Sequence, residues 1–182
     1  MLKNLIILAI LGYGGWYAYD NYFASGNKLQ EARAYAPKII KVTAKQVDFL
    51  IESGDKNEKP TLLYIFESNC LVCRWYYSDI MHFVTQYTRN QLNVIVLSMD
   101  SDDLVLAEFF VRNPPAIRPL MLKEGERERL FTYLRNRGSD YDGTVPYIAV
   151  INKAGHFDGI GLSWDPKNKI NGFILRALDV SS

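Results

Sequence analysis

The chain has 182 residues, with 21 basic and 20 acidic side chains, a formal net charge of +1 and two cysteines. That length supports one folded domain plus an appendage, and 48% hydrophobic residues suffice for a core without disulfide staples or structural metal. A balanced charge with no dense Lys/Arg stripe leaves no footprint for nucleic acid, and two cysteines exclude both a disulfide scaffold and a four-thiolate zinc site.

Lys3 precedes the apolar run Leu5 to Leu11 and a glycine- and aromatic-rich stretch to Tyr19, before Asp20 supplies the first acid. The run is shorter than the roughly 20 residues of a comfortable membrane span and longer than most signal-peptide cores. Trp16, Tyr17, Tyr19, Tyr22 and Phe23 gather at its distal end, as aromatic rings do at a membrane–water interface, and Lys3 favours an N-terminus on the cytoplasmic side. Residues 1–23 are therefore read as an uncleaved signal-anchor or transmembrane segment, 24–40 as a helical or extended linker, and 41–182 as the domain. This arrangement places the domain outside the cytoplasm, on the periplasmic side of the inner membrane in a bacterium.

Thr43-Ala44-Lys45-Gln46 has the capping-box pattern, with Val47, Leu50 and Ile51 following at helical spacing, so a helix is predicted from Thr43 to Ser53, stopped by Gly54. Thr61 to Phe66 reads as a buried central strand. From Cys70, the apolar positions Cys73, Tyr76, Tyr77, Ile80, Met81, Val84 and Tyr87 keep a helical period. Leu92 to Leu97 is a second buried strand, and Ser101 and Asp102 cap a helix that ends near Arg112, before Pro114-Pro115. A further helix is predicted within Glu124 to Arg137; its charge run Lys123 to Arg129 reads as a solvated face. Pro146 to Ile151 and His156 to Ile160 form an antiparallel pair, and a last helix starts with Pro166 in its first position.

Cys70-Leu71-Val72-Cys73 falls where the first predicted strand meets the long helix. A helix N-terminus carries partial positive charge and unpaired N–H groups, which stabilise a thiolate, the reactive species. A spacing of three puts the second sulfur one turn on, within reach of the first. With His82 and His156 the chain's histidines, a mixed-ligand zinc site and an inert buried pair stand as weaker alternatives.

The segment Leu63 to Cys73, the Thr144-Val145-Pro146 motif and the hairpin Tyr147 to Gly161 with its closing helix resemble the thioredoxin-like superfamily, over about Thr43 to Val180. The resemblance implies an α/β fold with a central mixed sheet flanked by helices. It also implies a cis Pro146 against the dithiol and a substrate-binding segment of Thr144, Val145 and Pro146, in which the Val145 backbone pairs with substrate chain. The stretch 113–143 exceeds what that fold needs and reads as a helical insertion before the cis-proline strand. Three features depart from the family: Asn69 replaces the aromatic residue usual before the first cysteine, the intervening dipeptide is Leu-Val, and Tyr64 falls where thioredoxins place a buried aspartate.

Four residues are expected to tune the dithiol. Leu71 and Val72 offer the thiolate no side-chain donor, Glu67 adds unfavourable negative charge and Arg74 favourable positive charge. The expected result is a first thiol less acidic than in a strong oxidase and a more reducing couple. The function implied is a thiol–disulfide oxidoreductase in which Cys70 is the nucleophile and Cys73 resolves. Its partners would be protein thiols or disulfides and a redox partner protein, with no metal and no other cofactor. A non-enzymatic thioredoxin-like module in an envelope assembly is the alternative.

Overall fold

The apolar run Thr61–Phe66 forms a strand buried at all six positions because both of its faces are covered. The computed structural model describes residues 25–56, 59–87, 90–159 and 166–178; the signal-anchor expected at 1–23 lies outside them. Among the described residues the strands are β1 (Ile40–Val42), β2 (Thr61–Phe66), β3 (Asn93–Ser98), β4 (Leu120–Leu122), β5 (Tyr147–Ile151) and β6 (Phe157–Gly159). They form one mixed sheet in the order β1-β4-β3-β2-β5-β6. β1, β4, β3 and β2 run parallel, and β5 joins β2 antiparallel with Leu63 opposite Ala149. β6 closes the edge as the return strand of a hairpin, Val150 opposite Asp158.

The helices are α1 (Ser25–Tyr35), α2 (Ala44–Lys56), α3 (Leu71–Gln86), α4 (Asp103–Arg112), α5 (Arg127–Asn136) and α6 (Pro166–Ala177). Because side chains alternate along a strand, β2 feeds two cores. Leu62, Tyr64 and Phe66 pack with α1, α3, α4 and α6 through Ala32, Ile80, Leu106 and Ile174. Leu63 and Ile65 pack on the other face with α2 and α5 through Val47, Ile51, Leu130 and Leu134.

Local signals account for several boundaries. The capping box forms as expected: Thr43 N–H donates to Gln46 Oε1 at 2.8 Å and Gln46 N–H to Thr43 Oγ1 at 3.3 Å. Asp102 caps α4 by accepting from Leu104 N–H at 2.8 Å. Gly54 differs from its predicted role, since α2 continues to Lys56. A Cβ at position 54 would collide with the Thr61 hydroxyl, so the glycine answers to helix–strand approach and not to termination.

Two further differences concern larger pieces. The helical or extended linker expected at 24–40 is helical over α1 but packs on the domain: its Ala32 is fully buried, its Tyr35 ring lies 5.9 Å from that of Phe110, and its last residue, Ile40, is the first of β1. The stretch 113–143, expected to be a helical insertion, holds a strand as well as a helix. β4 lies between β1 and β3 in the sheet, and α5 follows it. Three residues are too few to show a period in the sequence, which is why neither β1 nor β4 is visible there.

Burial raises the phenol pKa of Tyr64, Tyr77, Tyr141 and Tyr147 above the ordinary value near 10. In the unfolded chain these phenols lose their protons near pH 10 while the folded protein keeps them, so folding stability declines as pH rises above about 10. Urea titrations at neutral pH and above pH 10.5 are expected to show a lower midpoint in the alkaline series.

Candidate active site

β2 ends at Phe66, and the next four residues form the loop that delivers Cys70 to the start of α3. The loop is held from several sides. Asp100, just past the end of β3, accepts from Ser68 N–H at 3.0 Å, from the Ser68 hydroxyl at 2.8 Å and from the Ser98 hydroxyl at 2.6 Å. Arg74, in the first turn of α3, donates its Nε–H back to the Ser68 carbonyl at 2.7 Å, and Cys70 N–H donates to the Glu67 carbonyl at 3.1 Å. Ser68 and Ser98 are buried, so these bonds satisfy groups that would otherwise be stranded without water.

Cys70 is the N-cap of α3, and its sulfur accepts from Cys73 N–H at 3.1 Å. The two cysteines form a disulfide with their Cα atoms 5.2 Å apart. Their environments differ. Cys73 is fully buried in the core, whereas Cys70 is half-buried and forms the accessible end of the pair. A thiolate at Cys70 would meet a backbone N–H at the positive end of a helix, an arrangement that lowers a thiol's pKa.

Facing the disulfide is the segment that opens β5. The Val145–Pro146 peptide is cis, and the Val145 carbonyl oxygen stands 3.9 Å from Cys70 Sγ. Val145 is half-buried and touches both cores. Thr144 is exposed and turns to Asp142, donating from its N–H at 2.9 Å and its hydroxyl at 2.7 Å. The preceding Gly143 has φ 99°, and a Cβ there would lie 2.9 Å from the Phe131 ring, so the approach to this segment requires glycine.

The structure therefore brings Cys70, Cys73, Val145 and Pro146 together. Leu71 stands outward beside them and Val72 is half-buried. The two charged candidates are engaged elsewhere. Arg74 serves the Ser68 carbonyl, and Glu67 Oε1 accepts from Arg127 Nη2 at 2.7 Å. The same Arg127 nitrogen donates to the Met99 carbonyl at 2.5 Å. Glu67 thus faces the loop as one half of an ion pair rather than as a bare negative charge.

Three contributors were not identified from the sequence. Arg127 lies in the charge run read as a solvated face, yet it ties α5 to the cysteine loop. Asp100 carried one available signal, a carboxylate just beyond the C-terminal end of a parallel strand, where sites in open α/β sheets gather. Tyr64 stands out in the sequence only by replacing the aspartate usual in thioredoxins. Its hydroxyl donates to the Cys73 carbonyl at 2.6 Å, and burial keeps the phenol neutral, so it fixes the backbone of the second cysteine without offering a base.

Removing Arg127 should unpair Glu67 next to the loop. Arg127→Ala is expected to cost about 1 kcal/mol of stability, the scale of a partly exposed ion pair with one backbone bond. It should also raise the Cys70 thiol pKa, whereas Glu67→Gln should lower it. Thiolate absorbance against pH on the reduced proteins checks both signs.

Among the described residues, cavities also open away from the disulfide. One of about 360 Å³ opens between Gly54, Leu92 and Ile117, at the end of the sheet where β2 and β3 begin.

No protein-family model and no curated protein matches the chain. Solved structures do. A thiol:disulfide interchange protein of the thioredoxin family from Chlorobium tepidum superposes with a TM-score of 0.56 at 14% identity, over 69% of this chain and 84% of that one. A thioredoxin-related protein from Neisseria meningitidis serogroup B gives 0.54 at 15%, over 66% and 85%. The thioredoxin domain of a thiol-disulfide oxidoreductase from Bacteroides vulgatus gives 0.54 at 13%, over 66% and 83%. With the strand order and the cysteine pair at the start of α3, these likenesses establish that the chain has the thioredoxin-like fold.

Proposed function

We propose that the protein is an extracytoplasmic thiol–disulfide oxidoreductase that exchanges the Cys70–Cys73 disulfide with protein substrates. The observation that carries this reading is the asymmetry of the pair. The two sulfurs are close enough to bond, one is sealed in the core, and the other sits at a helix N-terminus against the Val145 carbonyl.

In the oxidised protein a substrate thiolate attacks Cys70 Sγ, the Cys70–Cys73 bond breaks, and Cys73 leaves as a thiolate. A second substrate thiolate then attacks the substrate sulfur of the mixed disulfide. Cys70 departs as a thiolate, and two electrons have passed to the protein. In reverse, the Cys70 thiolate attacks a substrate disulfide, Cys73 attacks Cys70 Sγ, and the substrate leaves with two thiols. Val145 and Pro146 hold the substrate chain alongside Cys70, with Thr144 at the rim. Leu71 and Val72 add no donor to the thiolate, so the couple belongs to the reducing end of the range for such motifs.

Incubation in thiol buffers of graded ratio, followed by alkylation, tests the reading. Full interconversion between dithiol and disulfide supports it. A pair that never interconverts refutes it and leaves a binding module of an envelope assembly. Residues 1–23 are proposed to anchor the domain at the membrane, on the strength of the apolar run and its distal aromatics. Protease treatment of intact spheroplasts should digest the domain, and protection would place it inside.

A further inference from the structure

α3 is amphipathic, with Cys73, Tyr76, Tyr77, Ile80 and Phe83 turned into the core. Its opposite face is polar along most of its length, exposing Ser78, His82, Thr85 and Gln86. The exception lies in the first turn and a half. Leu71 is 61% exposed and Trp75 67% exposed, two large apolar side chains held in water at the end of the helix that carries the disulfide. Positions i and i+4 share one helix face, so the two form a continuous apolar strip starting at the residue bonded to Cys70.

Packing does not account for this strip, because both side chains point away from the core. A solvated helix face normally carries polar residues, and an exposed tryptophan next to another apolar side chain is characteristic of recognition surfaces. The occupant follows from the chemistry of the neighbouring sulfur. Exchange at Cys70 joins a substrate cysteine covalently to it, and with Val145 and Pro146 on one side of that sulfur, the end of α3 that carries Leu71 and Trp75 is the other surface open to the residues flanking that cysteine.

We infer that Leu71 and Trp75 select substrates in which the reacting cysteine is flanked by an apolar residue, with Trp75 as the specificity-determining side chain. The inference rests on the exchange reading above and narrows its substrate class to cysteines in apolar peptide sequence. Such cysteines are exposed in unfolded or incompletely folded chains.

The test uses the full chain and two disulfide peptides identical except for leucine or serine beside the reacting cysteine. kcat/KM is measured for each and normalised to exchange with dithiothreitol, which has no peptide to hold. The wild type should favour the leucine peptide by about tenfold, the scale of one well-placed aromatic contact. Trp75→Ser should bring the ratio close to one, and Trp75→Phe, which keeps an apolar ring, should restore most of it. A wild-type ratio near one, or a preference that survives Trp75→Ser, overturns the inference while leaving exchange at Cys70 intact. Absence of exchange with dithiothreitol overturns both.

Discussion

Cys73→Ala is expected to convert the reduced protein into a trap. Its Cys70 thiolate still attacks a substrate disulfide, but no second thiol remains to attack Cys70 Sγ, so the mixed disulfide persists. Non-reducing electrophoresis should show substrate–protein adducts that collapse on reduction. Turnover should fall to the level of a monothiol, with Cys70→Ala removing both adducts and turnover. The asymmetry of the pair underlies this expectation. Cys73 is fully buried, so the mixed disulfide forms at Cys70. Adducts through Cys73 in a Cys70→Ala background would reverse the assignment of roles.

Phe66→Ala is expected to be the most damaging of the core substitutions, at about 3–5 kcal/mol. Phe66 is the last residue of β2 and 1% exposed. Its ring stacks on Tyr64 at 5.3 Å and meets Tyr77 at 5.8 Å, Phe109 at 5.7 Å and Phe110 at 6.4 Å. Truncation opens a cavity bounded by rigid rings from a strand and two helices, which have little freedom to collapse into it. The same ring stands directly before the cysteine loop, so the loss should also loosen the loop. Urea denaturation gives the stability cost, and faster alkylation of reduced Cys73 would report the loosening.

Elements with strong local chemistry are legible in the sequence. The Thr43 and Gln46 side chains cap α2 through contacts within four residues, and the six-residue apolar run of β2 can be satisfied only by burial on both faces. The cysteine pair is legible because its chemistry depends on spacing and on the strand-to-helix junction, both local. What escaped detection is decided at long range. β1 and β4 are three residues each and are held by long-range pairing, Lys41 opposite Met121 and Leu120 opposite Leu97. Among its described residues α1 has a single fully buried side chain, Ala32, too little to mark an apolar stripe. Gly54 falls where the sequence predicts a helix stop, but the nearby Thr61 hydroxyl explains it.

The candidate site divides along the same line. Cys70, Cys73, Val145 and Pro146 stand together, whereas Glu67 and Arg74 are charged neighbours in sequence whose charges are directed to Arg127 and the Ser68 carbonyl. An arginine 60 positions from Glu67 is invisible to a local reading of charge. Its effect is to bring α5 into the account of the dithiol, since the helix holds one side of the cysteine loop.

The reduction potential of the Cys70–Cys73 couple tests the central claim most directly. Equilibration of the full chain against dithiothreitol and glutathione buffers should give a single two-electron transition. With a helix N-terminus and one backbone donor at Cys70 but no side-chain donor from Leu71 or Val72, the midpoint should lie nearer the thioredoxin value of about −270 mV than the DsbA value of about −120 mV. A midpoint near −120 mV would contradict the assignment of the dithiol environment. No transition at all would contradict the claim that this pair is a redox couple.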